Sequence, residues 1–89
     1  MVGDIYTLKV DCLGNPPGTK GVSFNDYIDG EQLIFPNGNF DGFGASEKDR
    51  FLEFDFHSEI HEMYIFTNVM KVSEDFENGI WDDILKNVV

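Results

Sequence analysis

The chain has a single cysteine, Cys12, so it cannot close a disulfide within itself, and nothing in it points to an oxidising compartment. It is also poor in bases. Six Lys and Arg stand against seventeen Asp and Glu, a formal charge of −11. That balance argues against direct binding to DNA or RNA, which depends on cationic side chains neutralising phosphates. No apolar run approaches the ~18 residues that a membrane span requires. The opening "MVGDIYTLKV" lacks the basic start and long apolar stretch of a secretory leader, so a soluble, cytoplasmic protein is expected. Phosphate cradles are missing as well: "GNPPG" has prolines where N–H donors are needed, and no GxxxxGK stretch exists. With no assignable Ser–His–Asp arrangement, the chain is expected to be no enzyme and to carry no cofactor.

What is abundant is aromatic. Nine Phe, three Tyr and one Trp are spread over 89 residues, and each ring buried removes roughly 150–250 Å² from water. A single domain of this size buries only about 60% of its unfolded surface, so its core has to be dense. The charge is uneven: residues 1–45 carry six acids and two bases, residues 46–89 eleven and four. Any electrostatic signal should come from the second half.

"DIYTLKVDCLG" is rich in strand formers and ends at the reversal Gly14-Asn15-Pro16-Pro17-Gly18, which makes it a first strand. "TKGVSFNDYI" reads as a second, with Val22 and Phe24 on one face and Asp29-Gly30 closing it. "EQLIFP" is a third. Asn37-Gly38 predicts a two-residue type I′ turn, from which Asn39-Phe40 starts the returning strand. Ser46 with Asp49 three places on resembles a capping box and predicts a short helix over Ser46 to Phe54. Alternation of Leu52, Phe54 and Phe56 with Glu53, Asp55 and His57 is the competing strand signal. "EMYIFTNVMKV" reads as a strand. A terminal helix from Ser73 would carry the stripe Phe76, Ile80 and Ile84, with Trp81, Leu85 and Val88 beside it. Gly79 costs such a helix about 1 kcal/mol against Ala, which offers Asn78 as an alternative start. The result is one α+β domain, residues 1–89, around a strongly bent antiparallel sheet of four or five strands, with a short middle helix and a C-terminal helix.

Gly3-Asp4 before the first strand, Gly18 and Gly21 leading into the second, and an acidic-glycine turn before the third together resemble SH3-like small barrels. The resemblance covers roughly the first forty residues and implies a partial barrel. It implies no activity, because that family binds peptides, nucleic acids and proteins alike.

Three constellations carry chemistry. In "FPNGNFDGFGASEK", Asn37, Asn39, Asp41 and Gly42 match the first, third, fifth and sixth places of an EF-hand loop. The eighth is Gly44 and the twelfth is Lys48 instead of a bidentate Glu, so a hairpin turn is the favoured reading. In "DFHSEIHE", His57 and His61 share a face on a helix, or on a strand together with Glu59, and imidazole with carboxylate suits zinc. A small metal-binding protein is therefore an alternative, against the simpler reading of two solvated histidines. Cys12, beside Asp11 in a negative setting, is expected to be a buried hydrophobe.

The acids of the second half are interleaved with Phe, Ile and Trp, and the simplest reading is that they only keep the domain soluble. The functional expectation is that Glu53, Asp55, Glu59, Glu62, Glu74, Asp75, Glu77, Asp82 and Asp83 display carboxylates to a basic partner, with Trp81 as an apolar anchor or a core residue. In general properties the chain resembles small phage and mobile-element inhibitors that imitate nucleic acid. A structural subunit of an assembly is the third expectation.

Overall fold

The computed structural model describes residues 1–64 together with 71, 74, 75 and 77–79. Five antiparallel strands form one curled sheet, a half-barrel: β1 (Asp4–Leu8), β2 (Lys20–Tyr27), β3 (Gly30–Ile34), β4 (Phe40–Gly44) and β5 (Phe51–Phe56). Their order is β4-β3-β2-β1-β5, so the first four make a meander and the fifth returns to the free side of β1. A 3-10 helix, Ala45–Arg50, joins β4 to β5, and the α-helix α1, Ser58–Tyr64, follows β5.

Side chains alternate across a strand, and both sides of this sheet are apolar. Ile5 lies opposite Val22, and Val22 opposite Ile34, a row across three strands. With Val2 and Phe24 this row packs under Ile60 and Tyr64 of α1. The other side gathers Tyr6, Leu8, Cys12, Leu33, Phe35 and Phe43, with Phe51 against them. Cys12 is buried there. Gly21 faces Tyr6 across the β1–β2 pair, and a Cβ at Gly21 would come within 2.5 Å of the Phe35 ring. The missing side chain is what admits that ring. The hydroxyl of Ser23, fully buried, has no hydrogen-bond partner among the described residues.

Several expectations need correction. The turn after β3 is not a two-residue type I′ turn. The Gly38 N–H donates to Phe35 O at 2.9 Å, the Phe35 N–H donates to Asn39 O at 2.9 Å, and in the turn only Gly38 has positive φ, at 86°. Pro36 holds its φ near −65°, which sets a type I turn followed by a left-handed glycine, a three-residue loop.

The expected helix over Ser46 to Phe54 is divided. Its first part is the 3-10 helix, whose N-terminal contact is Gly44 N–H to the Glu47 carboxylate at 2.8 Å, not a Ser46–Asp49 box. No residue of that segment is buried, so no apolar stripe extends it. Leu52, Phe54 and Phe56 instead follow their period-two pattern into β5, where pairing with β1 satisfies the backbone.

Glu62–Tyr64, read as the start of a strand, belong to α1, because Ile60 and Tyr64, four apart, both bury against the sheet. Lys71, near the other end of that expected strand, is helical too, and residues 65–70 and 72 of it lie outside the described residues. Glu74, Asp75 and Glu77 are helical as expected, but Asn78 and Gly79 form a turn, with Gly79 at φ 76°, so no helix starts there. The stripe Phe76, Ile80 and Ile84, with Trp81, Leu85 and Val88, lies outside the described residues.

Candidate functional site

β5 sets the first part of the surface. Among the described residues it is an edge strand, and its register with β1 pairs Tyr6 with Phe54 and Ile5 with Asp55. A bulge between Thr7 and Leu8 leaves Leu52 without a partner of its own. Leu52, Phe54 and Phe56 are 65%, 53% and 48% exposed. Phe54 stacks on Tyr6 with ring centroids 5.0 Å apart, and Tyr6 meets Phe51 at 4.9 Å. The aromatic row therefore runs from the interior out to the edge.

The carboxylates expected to face a partner divide by place. Asp55 on β5, Glu59 and Glu62 on α1, and Glu74 and Glu77 in the later helical turn are exposed. Among the described residues none of these five is in an ion pair. Glu53 lies on β5 opposite Thr7. Trp81, Asp82 and Asp83 lie outside the described residues. Asp75 corrects the expectation outright, since its side chain is 1% exposed, accepts from the Tyr64 hydroxyl at 3.0 Å and pairs with Lys71 at 2.9 Å. It is a buried anchor for Tyr64. The hydrogen bond that Lys71 itself makes to Asp75, and then the charge of that carboxylate, hold its ammonium above the ordinary pKa.

The histidine pair seats α1. The Ile60 N–H donates to His57 Nδ1 at 3.4 Å, the position of an N-cap, and His61 Nδ1–H donates to Val2 O at 2.7 Å. Glu59 is in the first turn of the helix, not on a strand with the two imidazoles. No group of three His, Cys, Asp or Glu side chains suited to a metal ion occurs among the described residues. In the EF-hand-like stretch, the Asn37 and Asn39 amides donate to the Leu13 carbonyl at 2.9 and 2.8 Å, and Asn37 Oδ1 accepts the Asn39 N–H at 3.0 Å. These side chains brace the hairpin against the β1–β2 loop.

A second part of the surface was not foreseen. An open pocket of about 620 Å³ lies between the β2–β3 turn and the 3-10 helix. Its floor is Tyr6, Leu33, Phe43 and Phe51, and exposed Tyr27 and Ile28 form a wall. Asp26, Asp29 and Glu31 stand at its rim with Lys48. The Tyr6 hydroxyl donates to Glu31 at 2.8 Å. Burial first, and then that bond and the nearby carboxylates, hold Tyr6 well above its ordinary pKa, so it is a neutral donor. The Met1 amino group is 2.7 Å from Asp4, 3.1 Å from Glu31 and 3.4 Å from Asp26. Burial lowers its pKa, but the bonds to Asp4 and Glu31 outweigh that and the net shift is upward. The signal in the sequence was "NDYIDGE", three acids around two apolar residues at a tight turn. Acids and apolar side chains side by side suit a ligand that brings both cationic and apolar groups.

No family model, no curated protein and no solved structure matches the chain.

Proposed function

We propose that this chain is a non-enzymatic, acidic protein-interaction domain on an SH3-like partial barrel, and that it occupies a basic surface of a partner protein. The partner class is a nucleic-acid-processing protein, in whose phosphate-binding cleft the carboxylates stand in for nucleic-acid phosphates, as in an inhibitor. DNA carries one negative charge per ~1.7 Å of axis, and an acidic face is drawn to such a cleft by long-range attraction. The barrel reading is supported by the return of β5, after the four-strand meander, to pair with β1.

The observation that carries the functional reading is the state of the exposed acids. Asp55, Glu59, Glu62, Glu74 and Glu77 have no ion-pair partner among the described residues, and Leu52, Phe54 and Phe56 stand exposed on the same strand as Asp55, alternating with it. Carboxylates left unneutralised next to apolar anchors are a surface for a cationic partner more than for stability, since exposed pairs contribute only about 0–1 kcal/mol.

The test is a variant with Asp55, Glu59, Glu62 and Glu74 each changed to Lys, compared with the parent chain in capture from cell extract at low and high salt. We expect a partner that is lost both at high salt and in the variant, while circular dichroism shows the variant folded. A partner held equally by both chains would sink the electrostatic reading.

A further inference from the structure

The phase of the β1–β5 ladder identifies which backbone groups of β5 are left for another chain. The His57 N–H donates to Gly3 O at 2.8 Å, next in register to Asp4 opposite Phe56 and Ile5 opposite Asp55. Hydrogen-bonded and non-hydrogen-bonded pairs alternate along an antiparallel ladder. The Asp55 backbone therefore bonds to β1, while the N–H and C=O of Phe54 and Phe56 point away from it. The stacking of Tyr6 on Phe54 at 5.0 Å fits this, because side chains come closer at non-hydrogen-bonded pairs. Among the described residues nothing donates to or accepts from those outward groups.

Such an edge is ordinarily blunted by Lys, Pro, a covering element or a twist. β5, "FLEFDF", contains neither Lys nor Pro, and three of its large apolar side chains are about half exposed or more. Its guards are a bulge at Leu52 and the acids Glu53 and Asp55. Those acids choose the occupant. A second copy adding to β5 would bring exposed Asp55 against acidic side chains of its own kind, between chains that each carry −11. A segment with Lys or Arg at alternate positions meets attraction at the same places, and Glu59 and Glu62 of α1 add to it.

We propose that β5 is a docking edge for an extended, Lys- or Arg-bearing segment of a partner, which joins the sheet as a sixth strand by main-chain hydrogen bonds to Phe54 and Phe56. This rests on the reading of the chain as an acidic interaction domain and gives that reading a binding mode.

The experiment uses the full, ¹⁵N-labelled chain and three octapeptide probes: alternating Lys and Val, the same with two central Val replaced by Pro, and alternating Glu and Val. With the Lys–Val peptide, amide exchange at Phe54 and Phe56 should slow by on the order of tenfold or more, while Asp55, already bonded within the sheet, changes little. The Pro-bearing peptide, equal in charge but unable to pair, should leave both amides unprotected. Binding of both basic peptides without protection at Phe54 and Phe56 overturns strand addition and leaves the acidic reading standing. No binding of either overturns both. A dimer of the free chain with these amides already protected overturns the proposal and assigns the edge to a second copy.

Discussion

On one side of the sheet Ile5, Val22, Phe24 and Ile34 lie under a separate element, α1, through Ile60 and Tyr64; on the other, Tyr6, Leu8, Leu33, Phe35 and Phe43 pack within the curl of the sheet, with no separate helix of the described residues in that cluster. The first side depends on α1, whose Ile60 and Tyr64, four residues apart, both bury against the sheet, so this side is sealed only where the helix packs. Its supports are visible: His57 at the N-terminus, His61 on Val2, and Tyr64 tied to buried Asp75. The second side depends on shape, above all on Gly21 leaving space for the Phe35 ring. The functional surfaces follow the same division. The pocket opens off the second side, through Tyr6, Phe43 and Phe51, and the exposed acids Glu59 and Glu62 ride on the helix that covers the first.

Three changes sharpen this comparison. Ile60→Ala removes the centre of the helix contact, and urea unfolding should show a loss of about 2–5 kcal/mol; a loss below about 1 kcal/mol would mean that α1 does not seal that side. Gly21→Ala forces a methyl group against a fully buried ring, and the same measurement should show a loss of about 1–3 kcal/mol. An unchanged stability would place Phe35 elsewhere.

Tyr6→Phe acts least at neutral pH and is read against pH. The folded chain holds the Tyr6 proton above the ordinary tyrosine value near ~10, so between that value and its own the folded state binds more protons than the unfolded one. Stability therefore falls as pH rises above about 10, and the fall should be shallower in the Phe variant. Equal slopes in the two chains would remove the Tyr6–Glu31 bond from the account.

The sequence was most legible where turn chemistry and alternation agreed. Val22 and Phe24 do share a face, Asp29-Gly30 does end β2, and Phe40 does begin the returning strand. It misled where a pattern had two causes. Leu52, Phe54 and Phe56 alternate as a strand should, yet it is the apolar positions that stay exposed, which leaves burial no part in the signal. Ile60 and Tyr64 are spaced for a helix but sit in a run, "EIHEMYIF", whose aromatic and β-branched end reads as strand. Of the candidate site, Asp55, Glu59, Glu62, Glu74 and Glu77 were legible as exposed acids because most acids are exposed. Asp75 was not, since its burial comes with the Tyr64 hydroxyl eleven residues away, whereas the Lys71 pair is a local one four residues apart. Nor were Asp26, Asp29 and Glu31, whose meaning comes from the aromatic floor that β1, β3, β4 and β5 bring beside them.

The Leu13 carbonyl accepts both the Asn37 and the Asn39 amide. A carbonyl oxygen has two lone pairs, and here the two short bonds to it both come from side chains of the same hairpin, with the Asn15 amide a longer third contact at 3.4 Å. Residues 9–19, the longest irregular stretch before β5, are thereby fastened at mid-span by a hairpin more than twenty residues further along. A single oxygen atom serves as a rivet between two connections that would otherwise sway separately.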